Sequence, residues 1–216
     1  MDEESFFGRG HLFKYETELY LKGYRLIAGV DEAGRGPLAG PVVAAAVIFK
    51  QGVAIEGVND SKKLTEKTRE RLFYEIRKYA VSYGVGMISN KRIDEIDILR
   101  ATFEAMRRAV DRLSIKPDFV LIDGRDAPLD TKEQMSIIKG DSLSYSVAAA
   151  SIIAKVTRDK LMNFYGKIYP RYNFGQNKGY ATPEHIEAIK KFGRCEIHRK
   201  SFRLQFEKDP QLHLEL

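Results

Sequence analysis

The sequence predicts an α/β fold organised around a sheet. Short apolar runs with strand character, at 24–30, 41–49, 81–88 and 119–122, are separated by longer segments of helical periodicity. Gly- and Pro-rich turns mark the junctions between them. The chain has 216 residues, enough for one domain with a sizeable core. One domain over 1–216 is therefore expected, with 1–23 preceding the first strand as an N-terminal extension.

The first strand runs from Tyr24 to Val30 and ends on Asp31. A turn-rich loop, Glu32-Ala33-Gly34-Arg35-Gly36-Pro37-Leu38-Ala39-Gly40, leads into the apolar run Pro41–Phe49. That spacing predicts two neighbouring strands with a loop between them. Thr65–Tyr79 has helical composition, with Leu72, Phe73, Ile76 and Tyr79 on one face and Thr65 or Thr68 as its cap. Val81–Ile88 alternates as a strand does. Asp94–Leu113 reads as one helix, with Ile98, Phe103, Met106, Val110 and Leu113 forming its apolar face.

Phe119–Ile122 is a strand that meets a turn at Asp123-Gly124. Strands alternating with long helices predict a parallel sheet in this part. Ser144–Tyr165 is a long helix whose first turns are small, Val147-Ala148-Ala149-Ala150-Ser151, which permits close approach to other backbone. Pro183–Phe192 is a helix with Thr182 at its cap and Pro183 at its first position. The tail after Ser201 is basic and partly apolar, and its pattern predicts no element.

Composition narrows the function classes. Hydrophobic residues make up 44% and charged residues 31%, and no apolar run reaches bilayer length. The acidic start Met1-Asp2-Glu3-Glu4 is unlike a secretory signal, and the single cysteine, Cys195, has no internal disulfide partner. A cytoplasmic protein is expected. The net charge of +6 is unevenly placed. Residues 1–141 hold 23 basic and 23 acidic side chains, whereas residues 142–208 hold 13 against 5. A basic C-terminal third suits a polyanion or a solvated surface equally well.

Four carboxylates occupy comparable addresses. Asp31 and Glu32 end the first strand, Asp123 ends a later one, and Asp141 precedes the long helix in Lys139-Gly140-Asp141-Ser142. An Asp-Gly after a strand is ordinarily only a turn, and an Asp before a helix only a cap. Adjacent acids at the end of an apolar strand are harder to explain structurally. Gathered together, such groups would repel one another unless a cation lay between them. Oxygen donors of this kind suit Mg²⁺ or Mn²⁺. His11, His185, His198 and His213 are isolated in sequence, which argues against zinc.

The stretch Ala28-Gly29-Val30-Asp31-Glu32-Ala33-Gly34-Arg35-Gly36-Pro37-Leu38-Ala39-Gly40-Pro41-Val42 closely resembles the signature of bacterial ribonuclease HII, of the type 2 ribonuclease H family. Further blocks follow in the family's order: 60–64 (DSKKL), 121–124 (LIDG), 139–142 (KGDS), 149–159 (AASIIAKVTRD), 177–182 (NKGYAT) and 198–202 (HRKSF). The resemblance covers about Tyr24 to Phe202.

It implies a ribonuclease H-like fold: a mixed five-stranded sheet flanked by helices, with a small basic helical C-terminal portion over about 183–216. It implies that Asp31, Glu32, Asp123 and Asp141 are the catalytic, metal-binding acids of a two-metal hydrolysis. The implied substrates are RNA–DNA hybrids and duplex DNA containing single ribonucleotides. Cleavage is implied on the 5′ side of the ribonucleotide, giving 3′-hydroxyl and 5′-phosphate ends.

The loop Gly34-Arg35-Gly36 is implied to read the ribose 2′-hydroxyl through its backbone, which glycine allows to come close. Tyr180 is implied to stack on the following nucleotide. Lys62, Lys63, Lys155 and Arg158 are expected phosphate contacts. His198 and Arg199 are expected either to touch substrate or to pin the tail. Leu143 departs from the family, which often carries a basic residue there, so a contact made by that residue is in doubt. A monomer is expected. Two rival readings are another nuclease of the same fold and a non-catalytic nucleic-acid-binding module.

Overall fold

The computed structural model describes residues 11–204. Its sheet has five strands: β1 (Ile27–Ala33), β2 (Val42–Ile48), β3 (Ser82–Ile88), β4 (Phe119–Asp123) and β5 (Gln134–Ile137). Their spatial order is β3-β2-β1-β4-β5. β2 pairs antiparallel with both β1 and β3, while β1–β4 and β4–β5 are parallel. The expected mixed α/β sheet of the ribonuclease H-like class is therefore present. Parallel pairing begins at β1–β4, since β3 lies on the far side of β2.

β1 continues beyond its predicted end. Its ladder with β2 extends through Asp31↔Ala45 and Glu32↔Ala44 to Ala33↔Val43. Backbone pairing does not depend on side-chain charge, so an acidic pair need not end a strand that has a partner. β5, the short edge strand with the mixed sequence QMSI, carries no clear alternation and lay outside the strands read from the sequence.

The helices are α1 (Lys14–Leu21), α2 (Glu66–Tyr79), α3 (Asn90–Ile96), α4 (Ile98–Asp111), α5 (Tyr145–Ile168), α6 (Phe174–Asn177) and α7 (Pro183–Phe192). Thr65 caps α2 by accepting from the Thr68 amide, and Thr182 caps α7 with Pro183 at its first position. The single helix predicted over 94–113 is in fact two. Asp97 adopts φ 74, which breaks the helical path, and its carboxylate accepts from the Arg100 amide to start α4. Its capping role was concealed because it lies inside a periodic run. α1 falls within the N-terminal segment and buries Glu16, Leu19 and Tyr20.

The sheet is covered on both faces. On one, Ile27, Ala45, Val47 and Leu121 pack with the small-residue turns of α5. On the other, Ala28, Val30, Ala44, Ala46 and Ile122 pack with Ala101, Ala105, Met106 and Ala109 of α4. Gly29 makes the first contact possible. A Cβ there would lie 2.1 Å from the backbone carbon of Ser146, so only glycine lets the start of α5 meet β1 so closely. A third cluster joins Leu38 and Ala39 to Met162, Tyr172, Phe174, Ile189 and Ile197, seating the β1–β2 loop on the C-terminal helices.

Candidate active site

The β1–β4 register places Val30 opposite Ile122, so Asp31 and Asp123 emerge side by side from parallel strands. Glu32 follows on β1. Suitably placed carboxylate oxygens of Asp31, Glu32 and Asp123 all lie within 4.8 Å of one another. Asp123 Oδ1 accepts from the Gly140 amide at 2.6 Å, which ties β4 to the turn carrying Asp141. Asp141 is buried and accepts from Lys62 Nζ at 3.1 Å. The structure thus brings the four acids of the sequence reading to one end of the sheet.

These charges are poorly compensated. Burial pushes the Asp31 carboxyl well above the usual carboxylate range, and the charges of Glu32, Asp123 and Asp141 push it further. Glu32 is raised by burial and by Asp123, against relief from Arg35, whose guanidinium lies 3.4 Å away. Asp123 is raised by burial and then by Asp141. Desolvation opposes the Lys62 charge, but its bond to Asp141 and their attraction outweigh this and raise the ammonium. An all-oxygen donor set carrying excess buried negative charge fits a hard divalent cation. Among the described residues no histidine or cysteine joins it.

A carboxyl raised on folding binds its proton more tightly in the folded state. Stability of the metal-free protein therefore falls as pH rises from the ordinary carboxylate range through the raised values, and the penalty persists at neutral pH. A divalent cation competes with those protons. Adding Mg²⁺ or Mn²⁺ at a saturating ~100-fold excess over Kd should raise Tm by about 5–10 °C at pH 8, and clearly less at pH 5. Thermal melts at the two pH values with and without chelator check this; an equal shift at both would refute it.

The loop after β1 is built from inside by two fully buried arginines. Arg199 donates from Nε to the Gly40 carbonyl, from Nη1 to Arg35 and from Nη2 to Gly34. Arg158 donates from Nε to Pro41, from Nη2 to Ala39 and from Nη1 to Lys178. Gly34 is obligatory here: it has φ +95, and a Cβ would fall 2.0 Å from Arg158 Nε. Because every peptide bond among the described residues is trans, each amide points opposite to its carbonyl. With the Gly34 and Arg35 carbonyls turned onto Arg199, the amides of Arg35 and Gly36 face away from it, on the exposed side of the loop.

Tyr180 stands across from that side. Its ring carbon Cε1 lies 4.0 Å from where a Gly36 Cβ would be, and the residue is 44% exposed. Lys155 Nζ lies 6.0 Å from the ring centroid and is paired with Asp159 at 2.7 Å. Lys62 and Lys63 are exposed on the short helical turn Ser61–Lys63, which Asp60 caps.

Arg158 requires a correction. Expected as a phosphate contact, it is buried with every nitrogen donating to a protein carbonyl, so it shapes the loop instead of meeting substrate. Arg199 is likewise structural, although the sequence reading left its role open. Burial, followed by repulsion from Arg158, lowers its guanidinium to about 9, still protonated at neutral pH. His185 and His198 are isolated only in sequence: their Nε2 atoms are 3.0 Å apart. Leu143 packs its side chain at the edge of the α5-side core.

A family model described as Ribonuclease HII matches residues 28–208. A ribonuclease HII of Acetivibrio thermocellus is 59% identical over 192 residues, covering 89% of this chain and 75% of its own. One from Syntrophus aciditrophicus is 54% identical over 198 residues, covering 92% and 93%. Among solved structures, ribonuclease H2 from Pyrococcus horikoshii OT3 superposes with a TM-score of 0.72 at 30% identity, covering 88% of this chain and 99% of that one.

Proposed function

The chain belongs to the ribonuclease HII family of metal-dependent ribonuclease H endonucleases, and from that premise we propose that it cuts the RNA strand of RNA–DNA hybrids and single ribonucleotides embedded in duplex DNA. The cut falls on the 5′ side of the ribonucleotide and leaves 3′-hydroxyl and 5′-phosphate ends. One observation carries this reading: the loop that begins at Glu32 of the acid cluster brings Gly36 against the exposed ring of Tyr180, whose Cε1 lies 4.0 Å from where a Gly36 Cβ would be. Glu32 and Gly34 are two residues apart, so a ribose read by the loop presents its adjacent phosphate to the acids.

Asp31, Glu32, Asp123 and Asp141 would hold Mg²⁺ or Mn²⁺. When bound, the metal would supply Lewis-acid and charge stabilisation for hydrolysis of a phosphodiester. The protein's own groups do the positioning. Lys62 restrains Asp141, and the Gly140 amide restrains Asp123. The Arg35 and Gly36 amides donate to the 2′-hydroxyl, a bond that deoxyribose cannot make. Tyr180 stacks on the next nucleotide. Lys62, Lys63 and Lys155 draw in the phosphate backbone, so binding weakens as salt rises. Family membership rules out the non-catalytic reading, and the loop facing Tyr180 favours this specificity over a nuclease that ignores ribose.

The test is cleavage of a DNA duplex carrying one ribonucleotide, with product ends mapped. Cutting expected 5′ to the ribonucleotide requires Mg²⁺ or Mn²⁺ and is absent from an all-DNA duplex; equal cutting of all-DNA would refute the specificity. Tyr180→Ala is expected to reduce single-ribonucleotide cleavage by about 10–100-fold, the worth of one lost stacking contact. Unchanged kcat/KM would remove its role.

A further inference from the structure

Two fully buried histidines stand behind Tyr180. His185 lies on the first turn of α7 and His198 in the loop that follows that helix. The Cys195 amide donates to His198 Nδ1 at 2.8 Å, and an amide has no other role, so that nitrogen carries no proton. The Cys195 carbonyl lies further off, at 3.3 Å. Neutral His198 therefore bears its proton on Nε2 and donates to His185 Nε2 at 3.0 Å. His185 then keeps its proton on Nδ1, where the Tyr180 carbonyl accepts it at 2.7 Å. Starting from the opposite end, the Tyr180 carbonyl can only accept, and it demands the same two tautomers. The chain of bonds is consistent in one direction only.

The rest of the pocket holds the pair in place. The rings of Tyr172 and Phe174 pack on both imidazoles, with centroids 5.0–6.4 Å away. Ala39 of the loop forms an isolated antiparallel β-bridge with His198, and the Leu38 amide donates to the Gly179 carbonyl. Tyr180 is thus gripped through its main chain. Its amide donates to Asn177, and its carbonyl accepts from Thr182 as well as from His185. The side chain is left to face Gly36.

We infer that His185 and His198 are positioning residues: a neutral hydrogen-bonded relay that sets Tyr180 against the Gly34–Gly36 loop, and through it the preference for a single ribonucleotide. Neither touches the acids, so the relay acts on substrate discrimination and leaves the hydrolytic machinery alone. The inference rests on the role proposed for Tyr180.

The experiment is a double-mutant cycle on the full chain with Mg²⁺, using wild type, Tyr180→Ala, His185→Leu and the double variant. Each is assayed on a duplex with one ribonucleotide and on a long RNA–DNA hybrid. His185→Leu should lower kcat/KM on the single ribonucleotide by about 3–10-fold, the worth of one neutral hydrogen bond. It should cost less on the hybrid and nothing further once Tyr180 is Ala. His185→Asn, whose side-chain amide lies where Nδ1–H does, should recover most of the loss. Nitrogen-15 spectra of labelled wild-type protein, with the imidazoles of His185 and His198 assigned among the four histidines of the chain, should show His185 protonated on Nδ1 and His198 on Nε2.

An independent, multiplicative loss in the double variant would overturn the relay while leaving the Tyr180 reading intact, as would equal losses on both substrates or a different tautomer pair. If Tyr180→Ala itself leaves single-ribonucleotide cleavage unchanged, the Tyr180 reading falls and the relay with it. Should His185→Leu fail to fold, His185→Asn and the tautomer spectra still decide: Asn activity near wild type with the expected tautomers supports the relay, and other tautomers overturn it.

Discussion

Asp31→Asn should reduce cleavage by more than about 100-fold while making the metal-free protein more stable at neutral pH. The loss follows from removing a donor at the centre of the cluster. Even outer partners of a metal site cost about 10–100-fold in affinity or activity, and a direct ligand costs more. The stability gain follows from the same residue's surroundings. Asp31 is buried beside Glu32, Asp123 and Asp141, which raises its carboxyl well above the ordinary range. A neutral amide of the same shape removes that repulsion. Two measurements check the pair of effects: steady-state cleavage with excess Mg²⁺ or Mn²⁺, and Tm in chelator at pH 7–8. The variant should also lose most of the cation-induced rise in Tm. Activity within tenfold of wild type, or a metal-free Tm below wild type at neutral pH, would show that Asp31 is not the strained centre of a cation site.

Arg199→Leu carries the second large effect, and it acts on the loop. Three carbonyls, the buried ones of Gly34 and Gly40 and the partly buried one of Arg35, would lose their donor. Each orphaned group costs about 1–3 kcal/mol. Some of that is returned, because a buried charge and its repulsion by Arg158 are also removed. A net loss of about 2–4 kcal/mol, or roughly 4–16 °C in Tm, is expected. With the carbonyls released, the amides of Arg35 and Gly36 lose their fixed direction, so single-ribonucleotide cleavage should fall further than stability alone explains. The comparison is made at a temperature where the variant remains folded by circular dichroism. Arg199→Lys should not rescue it, since an ammonium lacks the planar fork that reaches three carbonyls. Wild-type cleavage by Arg199→Lys would refute the account.

Periodicity, caps and motif order in the chain alone determined most of this protein. They located β1 through β4, α2 with its cap narrowed to Thr65 or Thr68, and α7 with Thr182 and Pro183, because those signals are local. The motif blocks pointed to the family and its four acids, since each acid is written next to a glycine or another acid in a short recognisable string. What local pattern cannot carry was missed or misread. The break at Asp97 depends on a left-handed backbone inside an apolar rhythm. β5 is an edge strand without alternation, recognisable only by its pairing with β4.

The tertiary structure decided the partners of the buried polar groups. Arg158 reads as a phosphate ligand in a basic helix, and becomes a loop support only when Ala39, Pro41 and Lys178 are brought to it. His185 and His198 read as isolated until packing sets them 3.0 Å apart. A cation or imidazole in a sequence carries its chemistry but not its burial. Burial decides whether its hydrogen bonds go to a substrate or to the chain's own backbone, because a polar group taken from water must find its partner inside.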